Sequence, residues 1–166
     1  MIKPDIYIDL GDTGEWELFS THHWKALDRP PDHILIPMLD DSVDVVNNGM
    51  NQIDESLDIA ECKTRHFIQG NHEVWLDNFA KKETRPRFLT KNALRLNDRG
   101  YKYHPYFRKR PLKIGKLNFT HGHRTGMHHA KAHLIMYGES VMYGHTHDLQ
   151  RHTHTGLGGT ISAWSM

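Results

Sequence analysis

The chain of 166 residues has a single cysteine, Cys62, so no intrachain disulfide can form and a reducing, cytoplasmic setting is expected. With no second cysteine beside it, Cys62 reads as a small buried residue. No apolar run approaches the roughly 18–20 residues of a membrane span. The opening Met1-Ile2-Lys3-Pro4-Asp5 lacks the apolar core of a signal peptide. No membrane partner is therefore expected. Repeats and low-complexity tracts are also absent. Net charge is nearly missing too, at +1, but the near-balance hides a split. Residues 1–80 hold 16 acidic and 5 basic side chains, and residues 81–116 hold 13 basic and 2 acidic. Such a split suits a polyanionic partner near the basic part, or patches that neutralise each other within the fold.

The length fits one domain with a real core. Residues 4–10 read as a buried strand. Segment 13–40, with Trp16, Phe19, Trp24 and the Arg29-Pro30-Pro31 break, reads as a long functional loop with a short helix at most. From Asp41, the apolar residues Val43, Val46, Met50, Ile53 and Leu57 recur at helical spacing, which predicts a helix ending near Ala60. A strand at 65–69 and a helix from Glu73 to Lys82 follow. The basic segment 81–116 carries several breakers and reads as a helix-and-loop insertion. A strand at 116–120, a helix from Gly126 to Tyr137, and strands at 140–144, 150–154 and 159–164 close the chain. This order argues a layered α/β fold with a mixed sheet.

Four short blocks carry the chemistry. They are Leu10-Gly11-Asp12, Gly70-Asn71-His72-Glu73, Thr120-His121-Gly122-His123 and Gly144-His145-Thr146-His147. Each follows a strand-like run and sets an Asp, Asn or His beside a glycine. Oxygen and imidazole ligands delivered from several strand ends are what a transition-metal site needs. Glycine at the turn lets the backbone approach closely.

In these blocks the chain resembles the calcineurin-like metallophosphoesterase superfamily, and its bacteriophage and prophage members in particular. The family's G-D-x-x-D motif is matched by Gly11-Asp12-Thr13-Gly14-Glu15, with Glu in the last place. Its G-N-H-E/D, His-Gly and G-H-x-H motifs are matched by Gly70-Asn71-His72-Glu73, His121-Gly122 and Gly144-His145-Thr146-His147. The family's first motif, D-x-H, has no counterpart in the eleven residues before Asp12. A second alignment would take Asp12-Thr13-Gly14 as a degenerate first motif and Asp40-Asp41-Ser42-Val43-Asp44 as the second.

The resemblance implies a layered α/β/β/α fold with mixed sheets and two divalent transition metals, drawn from Mn, Fe, Zn or Ni. It also implies hydrolysis of phosphomonoesters or phosphodiesters by in-line attack of a metal-bound hydroxide. Asp12 would bridge the metals, with Asn71, His121 and His145 completing one site. His147 would serve the other, whose Asp and His partners are missing. His72 would face the substrate and protonate or stabilise the leaving oxygen. Glu73 would orient its loop. A cytoplasmic setting in a bacterial host or phage-infected cell fits the same likeness.

Further residues are candidates for substrate contact: His22, His23, His123 and Arg124. The last 50 residues hold nine of the fifteen histidines; His128, His129, His133, His152 and His154 read mostly as helix or strand-face residues. In the basic segment, Tyr101, Tyr103, Tyr106 and Phe107 alternate with cations such as Arg99, Lys102, Arg108 and Lys109. That pattern suits nucleic acid or a lid with core aromatics. Two other readings thus stand beside the phosphoesterase: a metal-dependent nuclease, and a fold that serves as a catalytically weak or inactive scaffold. Without the first motif the chain is expected to turn over slowly, Asp9 being the nearest substitute ligand. The missing strand would leave a sheet edge open to self-association, unless residues 33–39 take its place.

Overall fold

The computed structural model describes residues 3–25, 28–106 and 110–166. It is α/β, with a three-stranded parallel sheet and a five-stranded mixed sheet. The chain divides into two compact units, Met1–His104 and Pro105–Met166. Each holds one of the sheets.

In the first unit, β1 (Ile6–Asp9), β2 (Thr64–Ile68) and β3 (Tyr101–His104) pair in the order β1-β2-β3. The register sets Asp9 opposite Phe67, and Ile68 opposite His104. Strands β1 and β2 therefore end level, and the turns after them emerge side by side. One sheet face carries Tyr7, Phe67, Tyr101 and Tyr103 into a core with Trp16, Phe19, Leu35, Leu39, Met50, Leu76, Phe79 and Phe88. Burial beside acidic neighbours pushes the Tyr7 hydroxyl up to about 12, and those of Tyr101 and Tyr103 further. These phenols stay neutral and act as core residues.

Helix α1 runs from Asp32 to Ile59, nine residues earlier at its start than the periodicity suggests. It passes through Pro37, which costs one helical hydrogen bond. Pro37 is exposed, as is His33, whose carbonyl loses its partner, so water can satisfy that carbonyl. Leu35 and Leu39 extend the buried stripe upstream of Val43 and hold this first stretch to the core. Tertiary packing outweighs the proline signal. Of the segment expected to be a loop, the described residues before Asp32 are irregular apart from two 3-10 turns, Glu17–Phe19 and His23–Lys25, and the part from Asp32 onward is helix. The structure also removes two alternatives. Residues 33–39 are helical and do not replace a strand. Asp40 and Asp44 lie within α1, not at a strand end, so the second alignment fails.

A charged network ties α1 to the sheet. Asp54, little exposed, accepts from Arg65 and Arg99, and Arg99 also donates to the side chain of buried Asn47 at 3.0 Å. Asn47 in turn donates to the Ala93 carbonyl at 2.9 Å. Helix α2 (Asn71–Lys82) and the short α3 (Thr90–Ala93) pack on the same core.

The basic segment is not an insertion, for it supplies β3. Tyr101 is buried, Tyr103 packs on the core, and Arg85, Arg87 and Arg99 pair with Asp32, Asp40 and Asp54. Its alternation of rings and cations is a strand between a core face and a polar one. Phe107, Arg108 and Lys109 lie outside the described residues. Cys62 is half-buried rather than buried, its thiol 3.5 Å from the Thr64 carbonyl.

In the second unit, β4 (Leu112–Ile114), β5 (Leu117–Thr120), β6 (Val141–Tyr143), β7 (Arg151–Gly156) and β8 (Gly159–Ser165) form a sheet ordered β4-β5-β6-β8-β7. Strands β5, β6 and β8 are parallel, and hairpin partners add antiparallel edges. Helix α4 (His129–Tyr137) ends at Gly138 in the left-handed region, as helix termini favour. It packs Ala130 and Leu134 against Val141, Tyr143 and Ala163. Among the described residues no helix is long and apolar enough to cross a membrane.

Candidate functional site

The candidate residues fall into two groups, one in each unit.

In the first unit, the turns after β1 and β2 are locked together by Glu73, which is fully buried. Its Oε2 accepts from the backbone N–H groups of Asp12 and Gly70, both at 2.8 Å. Its Oε1 accepts from Thr13 N–H at 2.9 Å and from the Trp16 indole at 3.1 Å. The bond to Gly70 is the backward reach of a capping box, here from the third helical residue of α2. Asp12 then sits at the N-terminus of α2, where its Oδ1 accepts from His72 N–H at 2.9 Å. A helix N-terminus favours a carboxylate. Asp12, Asn71 and His72 are thereby brought to one turn pair.

Two glycines make this approach possible. A Cβ on Gly11, whose φ is +86°, would fall 2.3 Å from Gly70 N and 2.6 Å from the Ile68 carbonyl. On Gly70 it would fall 2.2 Å from Asp12 Oδ1. Asp9, the suggested substitute ligand, takes part in shaping the turn: its Oδ1 accepts from Gly11 N–H at 2.9 Å. His72 stacks on Trp75, with ring centroids 4.4 Å apart.

In the second unit, parallel pairing sets Thr120 opposite Tyr143, so His121 and Gly144 leave the sheet side by side. The rings of fully buried His121 and half-buried His145 meet there, Nε2 to Nδ1 at 3.2 Å. Two nitrogens about 2.0–2.1 Å from one ion, at tetrahedral or octahedral angles, stand roughly 2.9–3.4 Å apart. The pair therefore fits two cis ligands of a transition metal, and equally a single N–H···N bond between neutral rings. Asp12, His145 and His147 all have positive φ, at 54°, 72° and 49°. Non-glycine residues in that region cost about 1–3 kcal/mol each and gather at ligand-holding turns. His147 is exposed.

The substrate-contact candidates are dispersed. His22 and Arg124 are exposed, and His23 packs edge-on against Trp24 with centroids 4.5 Å apart. His123 is half-buried, and its backbone N–H donates to His133 Nε2 at 3.2 Å.

Behind these turns stands a network that sequence spacing did not reveal. His129 reaches the Tyr143 hydroxyl at 2.5 Å through Nδ1 and Asp148 at 3.2 Å through Nε2. Burial raises the Tyr143 hydroxyl to about 12, so it remains a donor. His133 stacks on Tyr143 at 3.8 Å between centroids. The cue was only that His129 and His133 are four apart on a helix, facing one way.

His133 has one tautomer that fits. Its Nδ1–H donates to the His129 carbonyl at 2.9 Å, and Nε2 accepts from the His123 amide. Burial is the main cause that pushes its pKa down to about 4. The unfolded ring takes its proton near 6.5 and the folded ring only near 4. The stabilisation is therefore full above pH 6.5, declines as pH falls toward 4, and changes no further below. Urea unfolding of the wild type at pH 7 and pH 4.5 is expected to show a loss of roughly 2 kcal/mol that His133→Asn lacks. Burial also lowers His66 and His104, with the same sign, so the difference between proteins is the measure.

Compared with protein-family models, curated proteins and solved structures, the chain finds no match.

Proposed function

We propose that this chain is a metal-dependent phosphoesterase of the calcineurin-like type, with that family's layered α/β/β/α packing. The observation that carries the reading is the His121–His145 pair, held 3.2 Å apart at two parallel strand ends. The turn that presents Asp12 beside Asn71 and His72 supports it from the other unit. Asp12, Asn71, His121 and His145 would hold one divalent transition metal, and His147 a second. A bound divalent ion of this kind offsets charge on phosphoryl oxygens and makes water a better nucleophile near neutral pH.

The chain's own residues do the rest. Glu73 fixes the Asp12 and Gly70 backbones, so the carboxylate needs no reorganisation on binding. His72, stacked on Trp75, sets an imidazole beside the turn, a group able to pass a proton to a leaving oxygen. The nuclease reading is less favoured, because Tyr101 and Tyr103 face the core and three of the arginines are paired with carboxylates.

Elemental analysis after dialysis against manganese or zinc tests the site. The wild type should retain metal, and the Asn71→Ala, His145→Ala double variant should lose most of it. Full retention by the double variant sinks the assignment. An aryl phosphate, single-stranded DNA and duplex DNA, offered with manganese, separate the reaction classes; slow aryl phosphate hydrolysis abolished by His72→Ala is expected. No turnover with any of them, beside normal metal binding, would favour the scaffold.

Strand β1 pairs only with β2 among the described residues, and Ile6 on it is 41% exposed. An open strand edge invites pairing with a second chain. Sedimentation across the micromolar range should show reversible self-association, which Ile6→Lys weakens. A monomer at every concentration would remove the edge from consideration.

A further inference from the structure

A cavity of about 270 Å³ opens in the first unit, lined by Trp24, Trp75, Phe19, Phe79, Arg29 and Lys82 among others. Phe19 and Phe79 are buried and meet edge to face at 5.3 Å, giving a firm apolar floor. Trp24 and Trp75 are half-buried walls. Each is held: the Trp24 indole donates to the Leu18 carbonyl at 2.9 Å, and Trp75 stacks on His72. Indole rings that are fixed in place and still reachable lose little entropy when a flat group packs on them. A cavity of about 150 Å³ suffices for a benzene ring, and drug-sized ligands need about 300 Å³ or more. The volume therefore suits one mono- or bicyclic planar ring.

The rim says what such a ring would carry. Lys82 is exposed beside the cavity, and Arg29 pairs with Asp32 at 3.1 Å and Glu83 at 3.8 Å. Lys82 has no carboxylate partner among the described residues and suits an anionic group next to the aromatic one, and the wall residue Trp75 also stacks on His72. Asn78 adds an exposed amide that can meet the polar edge of a heterocycle.

We propose that this cavity is a binding pocket for the planar heteroaromatic ring of a phosphoester, a nucleobase-sized group, stacked against Trp24 and Trp75. The pocket deepens the phosphoesterase reading, since His72 links it to the reacting end, yet its ring-binding half can be tested alone. His72 would then contact the ester bond while the ring sits beyond Trp75.

The test measures binding by saturation-transfer NMR and calorimetry, without turnover. The probes are adenosine 5′-monophosphate, adenosine and ribose 5-phosphate, each in EDTA and with manganese. Adenosine 5′-monophosphate should bind at least about tenfold more tightly than ribose 5-phosphate, and adenosine should still bind in EDTA. Trp75→Leu should weaken adenosine at least about tenfold, and Trp75→Phe should restore most of it. Asn78→Trp, a substitution at an exposed position that fills the cavity, should block adenosine and guards against a misfolded Trp75 variant. The metal-site variant His145→Ala should bind adenosine as the wild type does. Equal binding of ribose 5-phosphate and adenosine 5′-monophosphate overturns the proposal, as does unchanged adenosine binding in Asn78→Trp. Adenosine binding that Asn78→Trp abolishes, in a protein that holds no metal, would keep the pocket and discard the phosphoesterase.

Discussion

Glu73→Ala should lower the stability of the first unit by about 4–5 kcal/mol, read from urea unfolding monitored through the buried Trp16. The carboxylate accepts four hydrogen bonds while fully buried: three from backbone N–H groups and one from an indole. A hydrogen bond to a charged group contributes about 1.5–3 kcal/mol, and a buried donor left without a partner costs about 1–3 kcal/mol. The losses are not additive, because the freed turns can relax toward water, so the sum is not expected. Glu73→Gln should lose about half as much. It keeps one carbonyl oxygen but turns an NH2 group toward donors. Metal content should fall in both variants although neither touches a proposed ligand, because the turn that presents Asp12 is held by this one side chain. A loss below about 1 kcal/mol for Glu73→Ala would mean that the two turns are held by something other than Glu73.

How much of this was legible in the sequence differs by residue, for physical reasons. Strands β1, β2, β5 and β6 were readable because each is a short apolar run ending at a glycine-bearing block. The turn chemistry marks the end of the strand. Helix α1 was readable from Val43 onward by its period, and its first turns were not. Pro37 is a strong local signal, and only the burial of Leu35 and Leu39 against a distant core overrides it. Strand β3 was hidden for the opposite reason. Its Tyr-Lys-Tyr-His alternation is the period-two pattern of a strand with one buried face, but the surrounding arginines drew attention to charge. Those arginines answer carboxylates on α1, a pairing between residues 45 to 53 apart that no local pattern encodes. At the site, the ligand-type residues were legible because glycine and imidazole at strand ends are uncommon together. Trp16 and Trp75 were not, since an indole that braces a carboxylate or backs a histidine has the same sequence signature as a core aromatic.

Gly11→Ala should cost about 3–5 kcal/mol and abolish metal retention, although it removes no donor atom. The φ of +86° lies where a side chain is strained, at a cost of about 1–2 kcal/mol. The steric term is larger. The new Cβ would meet Gly70 N at 2.3 Å, the Ile68 carbonyl at 2.6 Å and the Gly70 Cα at 2.7 Å, all of them backbone atoms. A flexible side chain could swing away from such a contact; a strand end cannot. Relief requires the turn after β1 to move off the turn after β2, and that movement breaks the Asp12–His72 and Asp12–Glu73 hydrogen bonds together. Overpacking of this sort costs about 1–3 kcal/mol where neighbours can shift, and more where they cannot. The useful comparison is Gly100→Ala, at the turn before β3. Its φ of +76° imposes similar strain, but no atom lies within 4 Å of the added Cβ. That variant should lose about 1 kcal/mol from strain alone and retain metal as the wild type does. Equal losses in the two variants would show that backbone conformation, rather than the contact between the two turns, sets the cost at Gly11.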